Sequence, residues 1–201
     1  MLKHLLKNKE FKEIIKDGLK NDQILDIILF GSITKGKEKP KDVDLLVLYK
    51  DKVNHDYDYE LRKKLEDKGF KAHVIGSSYF DIFQPSFLAR EGILSEGFSF
   101  KTNDFLFSSF GFSSFVLFRY SLKDMNDSNR TRFYYSLYGR GKEKGILDIF
   151  KCYKFSDNTI ISPIDNSENL KEFFEKKNIT FDQISLLLPK RMSDKRFLEG
   201  R

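Results

Sequence analysis

Apolar positions along this chain fall into distinct spacings, and each spacing predicts an element. Between residues 2 and 20, Leu6, Phe11, Ile14, Ile15 and Leu19 recur mostly at three- and four-residue intervals among lysines. That period predicts an amphipathic helix, weakened at its end by Gly18 and Asn21-Asp22. Ile24–Phe30 and Val43–Tyr49 are short, nearly continuous apolar runs, which predict buried strands. A loop rich in Gly, Lys and Pro joins them. Residues 56–68 suit a helix with Tyr57, Leu61 and Leu65 on one face and Gly69 at its end. Residues 70–75 read as a third strand, and 79–90 as a Phe-rich helix that starts or kinks near Pro85.

After Gly97 the texture changes. Residues 98–121 are dense in Phe and Ser and predict short strands or a hairpin. Phe105 and Phe107, then Phe110 and Phe112, alternate as they would on strands buried on one face. Residues 128–138 suit a helix stopped by Gly139 and Gly141. Residues 159–164 and 184–188 predict strands. The helix between them turns Leu170, Phe173 and Phe174 inward, with Ser167 as its N-cap. The pattern divides the chain into residues 1–97 and a smaller α+β domain over 98–201, with no internal repeat and no long linker.

Composition narrows the class. The chain has 201 residues, 40% of them hydrophobic, with 21 Phe and no Trp. Such a load of Phe implies a packed core or a docking surface, not disorder. The single cysteine, Cys152, excludes an internal disulfide, reads as a small buried residue and points to the cytoplasm. No apolar segment approaches the length of a membrane span, and the basic N-terminus lacks the apolar core of a signal peptide. His4 and His55 stand in polar surroundings and are expected to be exposed. The net charge is +6. Residues 97–201 hold 18 Lys/Arg against 13 Asp/Glu, an excess compatible with a polyanionic partner such as RNA, and equally with ordinary solubility.

Two chemical requirements converge on residues 31–44. Gly31 and Ser32 end the first strand. A glycine there lets the main chain approach a phosphate closely, and the serine adds an amide and a hydroxyl. A helix following the turn would aim its free N–H groups at the same phosphates. Lys35, Lys37, Lys39 and Lys41 surround the loop with positive charge. Asp42 and Asp44, two apart at the start of the second strand, point to one face and offer the hard oxygens that a magnesium or manganese ion takes. A pair of metals about 4 Å apart suits two such acids when a third carboxylate completes the site.

The whole pattern reads Gly31-Ser32-Ile33-Thr34-Lys35-Gly36-Lys37-Glu38-Lys39-Pro40-Lys41-Asp42-Val43-Asp44, between two apolar runs. It resembles the signature of the DNA polymerase beta superfamily of nucleotidyltransferases, including the glycine at position 36. Residues 83–97, with Arg90, Ile93 and Glu96-Gly97, resemble the helix that ends the family's minimal domain, so the likeness covers roughly residues 20–98. The resemblance implies an α+β fold with a nucleotidyltransferase-like mixed sheet flanked by helices. It also implies transfer of a nucleoside monophosphate from an NTP to a hydroxyl of RNA, a protein or a small molecule, with release of pyrophosphate. Asp42 and Asp44 would hold Mg²⁺ or Mn²⁺, and Gly31, Ser32, Lys35 and Lys41 would bind the nucleotide. On the third strand the family's third carboxylate is replaced by His73, which can ligate a metal or act as a base. Asp81 and Glu91 remain as other acids. The alternative implied by the missing acid is an inactive relative that binds RNA or a protein partner, or serves as an antitoxin.

One further segment stands out, Arg130-Thr131-Arg132-Phe133-Tyr134-Tyr135-Ser136-Leu137-Tyr138-Gly139-Arg140-Gly141. Helical spacing puts Arg132 and Tyr135 on one face and Phe133 and Leu137 on another. Arg132, Tyr135 and Arg140 are candidates for contact with an acceptor nucleic acid, through phosphate bridging and base stacking. The competing reading is a core helix tied down by its Tyr and Arg head groups.

Overall fold

The computed structural model describes residues 2–199, the side chain of Arg196 excepted. The chain divides into two compact units between Phe110 and Gly111. In the first, helices α1 (Leu2–Leu5) and α2 (Lys9–Gly18) precede strands β1 (Ile24–Phe30) and β2 (Val43–Tyr49). Helix α3 (His55–Glu66), strand β3 (Ala72–Ser78), helix α4 (Arg90–Glu96), strands β4 (Phe98–Ser99) and β5 (Asp104–Phe105) and the one-turn helix α5 (Leu106–Ser109) follow. The sheet runs β3-β2-β1-β4-β5, with β2 and β3 parallel and the other pairs antiparallel.

Both faces of this sheet are covered, which is why β1 and β2 are apolar almost throughout. Ile27, Leu29, Leu45 and Val47 face Phe11 and Ile15 of α2 and Leu61 and Leu65 of α3. Ile28, Leu46 and Leu48 face the other way, against Ile93 of α4. The period of two along each strand therefore sorts even-numbered residues of β2, Asp44 among them, onto the α4 face.

The expected single helix over 2–20 is broken. Asn8 caps α2 by accepting the Phe11 amide at 3.0 Å, so the chain turns before it. The expected helix over 79–90 does not form either. Only Asp81–Phe83 makes a 3-10 turn, because Pro85 holds Gln84 extended, and the helix starts at Arg90. The first unit also runs past residue 97. Phe98 and Ser99 pair with Leu29 and Ile28, and so belong to its sheet.

The second unit is a sheet ordered β11-β6-β10-β9. It comprises β6 (Phe112–Ser121), α6 (Asp127–Tyr138), a small hairpin of β7 (Gly139–Arg140) and β8 (Glu143–Lys144), and α7 (Ile146–Ile149). Strands β9 (Tyr153–Ser156) and β10 (Thr159–Pro163), helix α8 (Ser167–Lys176), strand β11 (Thr180–Pro189) and helix α9 (Lys195–Leu198) complete it. Phe118 and Tyr120 of β6 meet Phe133 of α6 and Phe174 of α8 in a cluster of edge-on and tilted rings. Between residues 105 and 118 the buried Phe residues are thus Phe115 and Phe118. Phe110 and Phe112 are exposed, since Gly111, at φ +77°, turns the chain there and β6 begins only after it. Ser167 opens α8 but bonds the Ile164 carbonyl instead of capping the helix. Cys152 is buried and its thiol is pushed up to about 12 by that burial. His4 and His55 are exposed. Among the described residues no helix is long and apolar enough to cross a membrane.

One buried acid in the first unit has a consequence for stability. Asp58 of α3 accepts the Tyr49 hydroxyl at 2.6 Å, while its Oδ2 has no hydrogen-bond partner among the described residues. Burial raises its carboxyl above the ordinary range, and the Tyr49 hydroxyl and His55, 3.6 Å away, only partly oppose this. A raised native value means the native state binds the proton more tightly than the unfolded chain. Stability from this group is therefore full below the unfolded value of about 3.9 and falls as pH rises through the native value. Asp58→Asn keeps an oxygen for Tyr49 and removes the charge. In urea unfolding it is expected to match wild type near pH 3.5 and to exceed it progressively toward pH 7; a gap that does not change with pH would contradict this.

Candidate functional site

The antiparallel register of β1 and β2 sets Phe30 opposite Asp44. The residue after Phe30 must then turn directly over the Asp44 carboxylate. Gly31 does so with φ +82°, and a Cβ on it would run into that carboxylate. Both the left-handed backbone and the close approach require glycine here. The two halves of the sequence motif are in contact.

A series of turns through Gly36, and not a helix, follows Gly-Ser. Thr34 Oγ1 donates to the Gly31 carbonyl at 2.7 Å, the Gly36 amide to Ile33 at 3.2 Å, and the Lys37 amide to Ser32 at 3.0 Å. Ile33 and Thr34 are buried and anchor the loop. Among the described residues the Ser32 hydroxyl makes no hydrogen bond, which leaves it open to a ligand.

Asp44 and His73 are direct partners across the parallel β2–β3 pair, with Oδ1 and Nδ1 3.4 Å apart. The Asp44 side chain is 22% exposed and that of His73 63%. Burial raises the Asp44 carboxyl, the charge of Asp42 raises it further, and His73 and Lys35 pull it down. Two neighbouring acids, one of them reluctant to ionise, make a set of hard oxygens that a divalent cation would relieve. Among the described residues no three His, Cys, Asp or Glu side chains converge closely enough to hold a metal alone. A cation here would draw its remaining oxygens from phosphate and water.

The other acids fall elsewhere. Asp81 accepts from Ser78 Oγ beyond the far end of β3, about 17 Å or more along the strand from His73. Glu91 is exposed beside Arg90. Lys35 reaches Glu96 beside the turn, and Lys41 lines a cleft of about 530 Å³ together with Asp42, Leu5, Lys39, Phe70 and Lys71. Glu96 is the site residue that sequence reasoning left without a role. Its Oε1 accepts the Gly31 amide at 3.2 Å and its Oε2 lies 3.2 Å from Lys35 Nζ. The only trace in the sequence is its place in the Glu-Gly pair that ends α4.

In the second unit, Tyr135 and Arg140 come together, the guanidinium lying 4.8 Å from the ring centre. Tyr134 and Tyr138 stack at 6.0 Å. Phe133 and Leu137 take the core face of α6, so the tyrosines and Arg132 are presented outward. α6 is thus a core helix on its Phe133 and Leu137 face, with its Tyr and Arg residues on the other.

Gly69 offers a control for Gly31, because its φ is +81° and a Cβ there would meet nothing within 4 Å. Gly69→Ala is expected to cost about 1 kcal/mol, the backbone penalty alone. Gly31→Ala adds the collision with Asp44 and should cost at least about 2 kcal/mol. Equal losses in denaturant unfolding would show that Gly31 is not packed on Asp44.

Residues 12–90 match the family described as polymerase beta, nucleotidyltransferase. No curated protein matches the chain. Among solved structures, one similar chain comes from a tri-AMPylated Shewanella oneidensis HEPN toxin in complex with an MNT antitoxin, at 18% identity over 49% of this chain and 71% of that one, with a TM-score of 0.34. Another comes from a toxin–antitoxin structure with AMP-PNP, at 20% identity over 46% and 72%, with a TM-score of 0.35. These distant likenesses add no weight to the family match. The first unit of this chain thus contains a segment similar to the nucleotidyltransferase domain of the polymerase beta family.

Proposed function

We propose that this domain transfers a nucleoside monophosphate from an NTP to a hydroxyl of an RNA acceptor. The observation that carries the reading is the seating of the Gly31 turn on the Asp44 carboxylate. A triphosphate lying on the Gly31-Ser32 turn has its reacting end beside Asp42 and Asp44. Ser32 offers a free hydroxyl and amide to the phosphates, and Lys35 brings positive charge. Mg²⁺ or Mn²⁺, held by Asp42 and Asp44, would supply Lewis acidity at the phosphates and the acceptor oxygen. The acceptor oxygen bonds to the α-phosphorus as the bond to pyrophosphate breaks. His73 is exposed and oriented by Asp44, so it is placed to take the acceptor's proton.

RNA is favoured as acceptor by the outward rings of Tyr134, Tyr135 and Tyr138 and by Arg132 and Arg140 in the second unit. Stacking rings interleaved with arginine suit unpaired bases and phosphates. A second reading, a nucleotide- and partner-binding protein without turnover, draws on His73 in place of a third acid.

Incubation with each labelled NTP, Mg²⁺ or Mn²⁺, RNA and cell extract separates these. Wild type is expected to label RNA, and Asp42→Ala/Asp44→Ala to lose at least about 100-fold of the rate, near 2.7 kcal/mol of barrier. Label on protein or small molecules would refute the RNA acceptor. Binding of NTP with no transfer to anything would refute the enzyme.

A further inference from the structure

We propose that Glu96 is a positioning residue for the nucleotide loop, fastening it at both ends, and that the Gly31 amide serves this anchor and not the phosphates. The inference rests on the nucleotidyltransferase reading only for what the loop binds. Glu96 is the last residue of α4, and a carboxylate there is disfavoured by the partial negative charge of a helix C-terminus. Its contacts supply what offsets that placement. Oε1 takes the amide at the start of the turn, and Oε2 takes the ammonium of Lys35 four residues later. The carboxylate side chain is 13% exposed, so the ion pair is shielded from water more than a surface pair would be.

The anchor itself is fixed. Ile93, one turn earlier, is buried against Ile28, Leu46 and Leu48. Gly97 leaves the helix so tightly that a Cβ would meet the Ile93 carbonyl and the Ile28 and Leu106 side chains. Glu96 is thus held from the sheet on the face that carries Asp44. An amide has one hydrogen. With that of Gly31 committed to Glu96, the donors left to a triphosphate are the Ser32 amide and hydroxyl and the remaining protons of Lys35.

Two substitutions separate the contacts. Glu96→Ala removes both, and Glu96→Gln keeps an oxygen for Gly31 while dropping the charge that holds Lys35. Hydrogen exchange of the loop amides, residues 31–36, is followed in the full chain without nucleotide. Affinity is then measured for a nonhydrolysable ATP analogue with Mg²⁺. Glu96→Ala is expected to speed loop exchange by about 10-fold or more, with β1 and β2 protected as before, and to weaken analogue binding by about 10-fold. Glu96→Gln should keep most of the loop protection and lose less affinity. Unchanged loop exchange in Glu96→Ala overturns the proposal. So does tighter analogue binding by either variant, since the carboxylate would then be a competitor of phosphate. If wild type itself fails to bind any of the four NTP analogues, the enzyme reading fails, and loop exchange alone decides the role of Glu96.

Discussion

The pairing of β1 with β2 is the constraint on which the site depends. It is antiparallel, and its register places the last residue of β1 opposite Asp44. A shift by one residue would send Asp44 to the α2 face and the Gly31 turn away from it, because side chains alternate faces along a strand. What holds the register is apolar burial on both sides. Ile27, Leu29, Leu45 and Val47 fill one core, and Ile28, Leu46 and Leu48 the other. The chemistry at the strand ends is thus set by packing along their length. Gly31 is the one residue type that completes the contact.

The site's electrostatics follow from that placement. Asp42 and Asp44 stand two apart at the start of β2, and burial together with the charge of Asp42 raises the Asp44 carboxyl. Lys35 and His73 offset part of that rise, and Glu96 in turn holds Lys35. The result is an alternation of charges around a turn whose Ser32 hydroxyl is unused. Such an arrangement is poised for a ligand that brings both anionic oxygens and a cation, as a metal-bound triphosphate does.

How much of this was legible in the sequence varies with the physics of each element. Strands β1 and β2 were readable to the residue, because an apolar run closed off by Gly on one side and Asp on the other has little choice of boundary. The Gly-Ser and Asp-x-Asp pairing was readable because it is local. The break at Asn8 was missed because the apolar spacing continues across it, and the cap that ends it is a single side chain. Helix formation over 79–90 was overestimated, as apolar content outweighed the restriction that Pro85 puts on its neighbour. β11 began four residues before its apolar stretch, since Asp182 and Gln183 pair along β6 with their side chains in solvent. The Glu-Gly pair marked the end of α4 but gave no sign of what Glu96 touches. Its contacts with Gly31 and Lys35 cross 65 and 61 positions of sequence, and the packing of α4 on the sheet creates them.

We propose that nucleotide and metal meet between the Gly31 turn and the Asp42–Asp44 pair. The most direct measurement is a crystal structure of the protein with Mn²⁺ and a nonhydrolysable NTP, using anomalous scattering to locate the metal. An anomalous peak is expected at the Asp42 and Asp44 carboxylates, with phosphate density on Ser32 and Lys35. A nucleotide in the cleft lined by Lys39, Lys41 and Lys71, with no metal at Asp44, would contradict it.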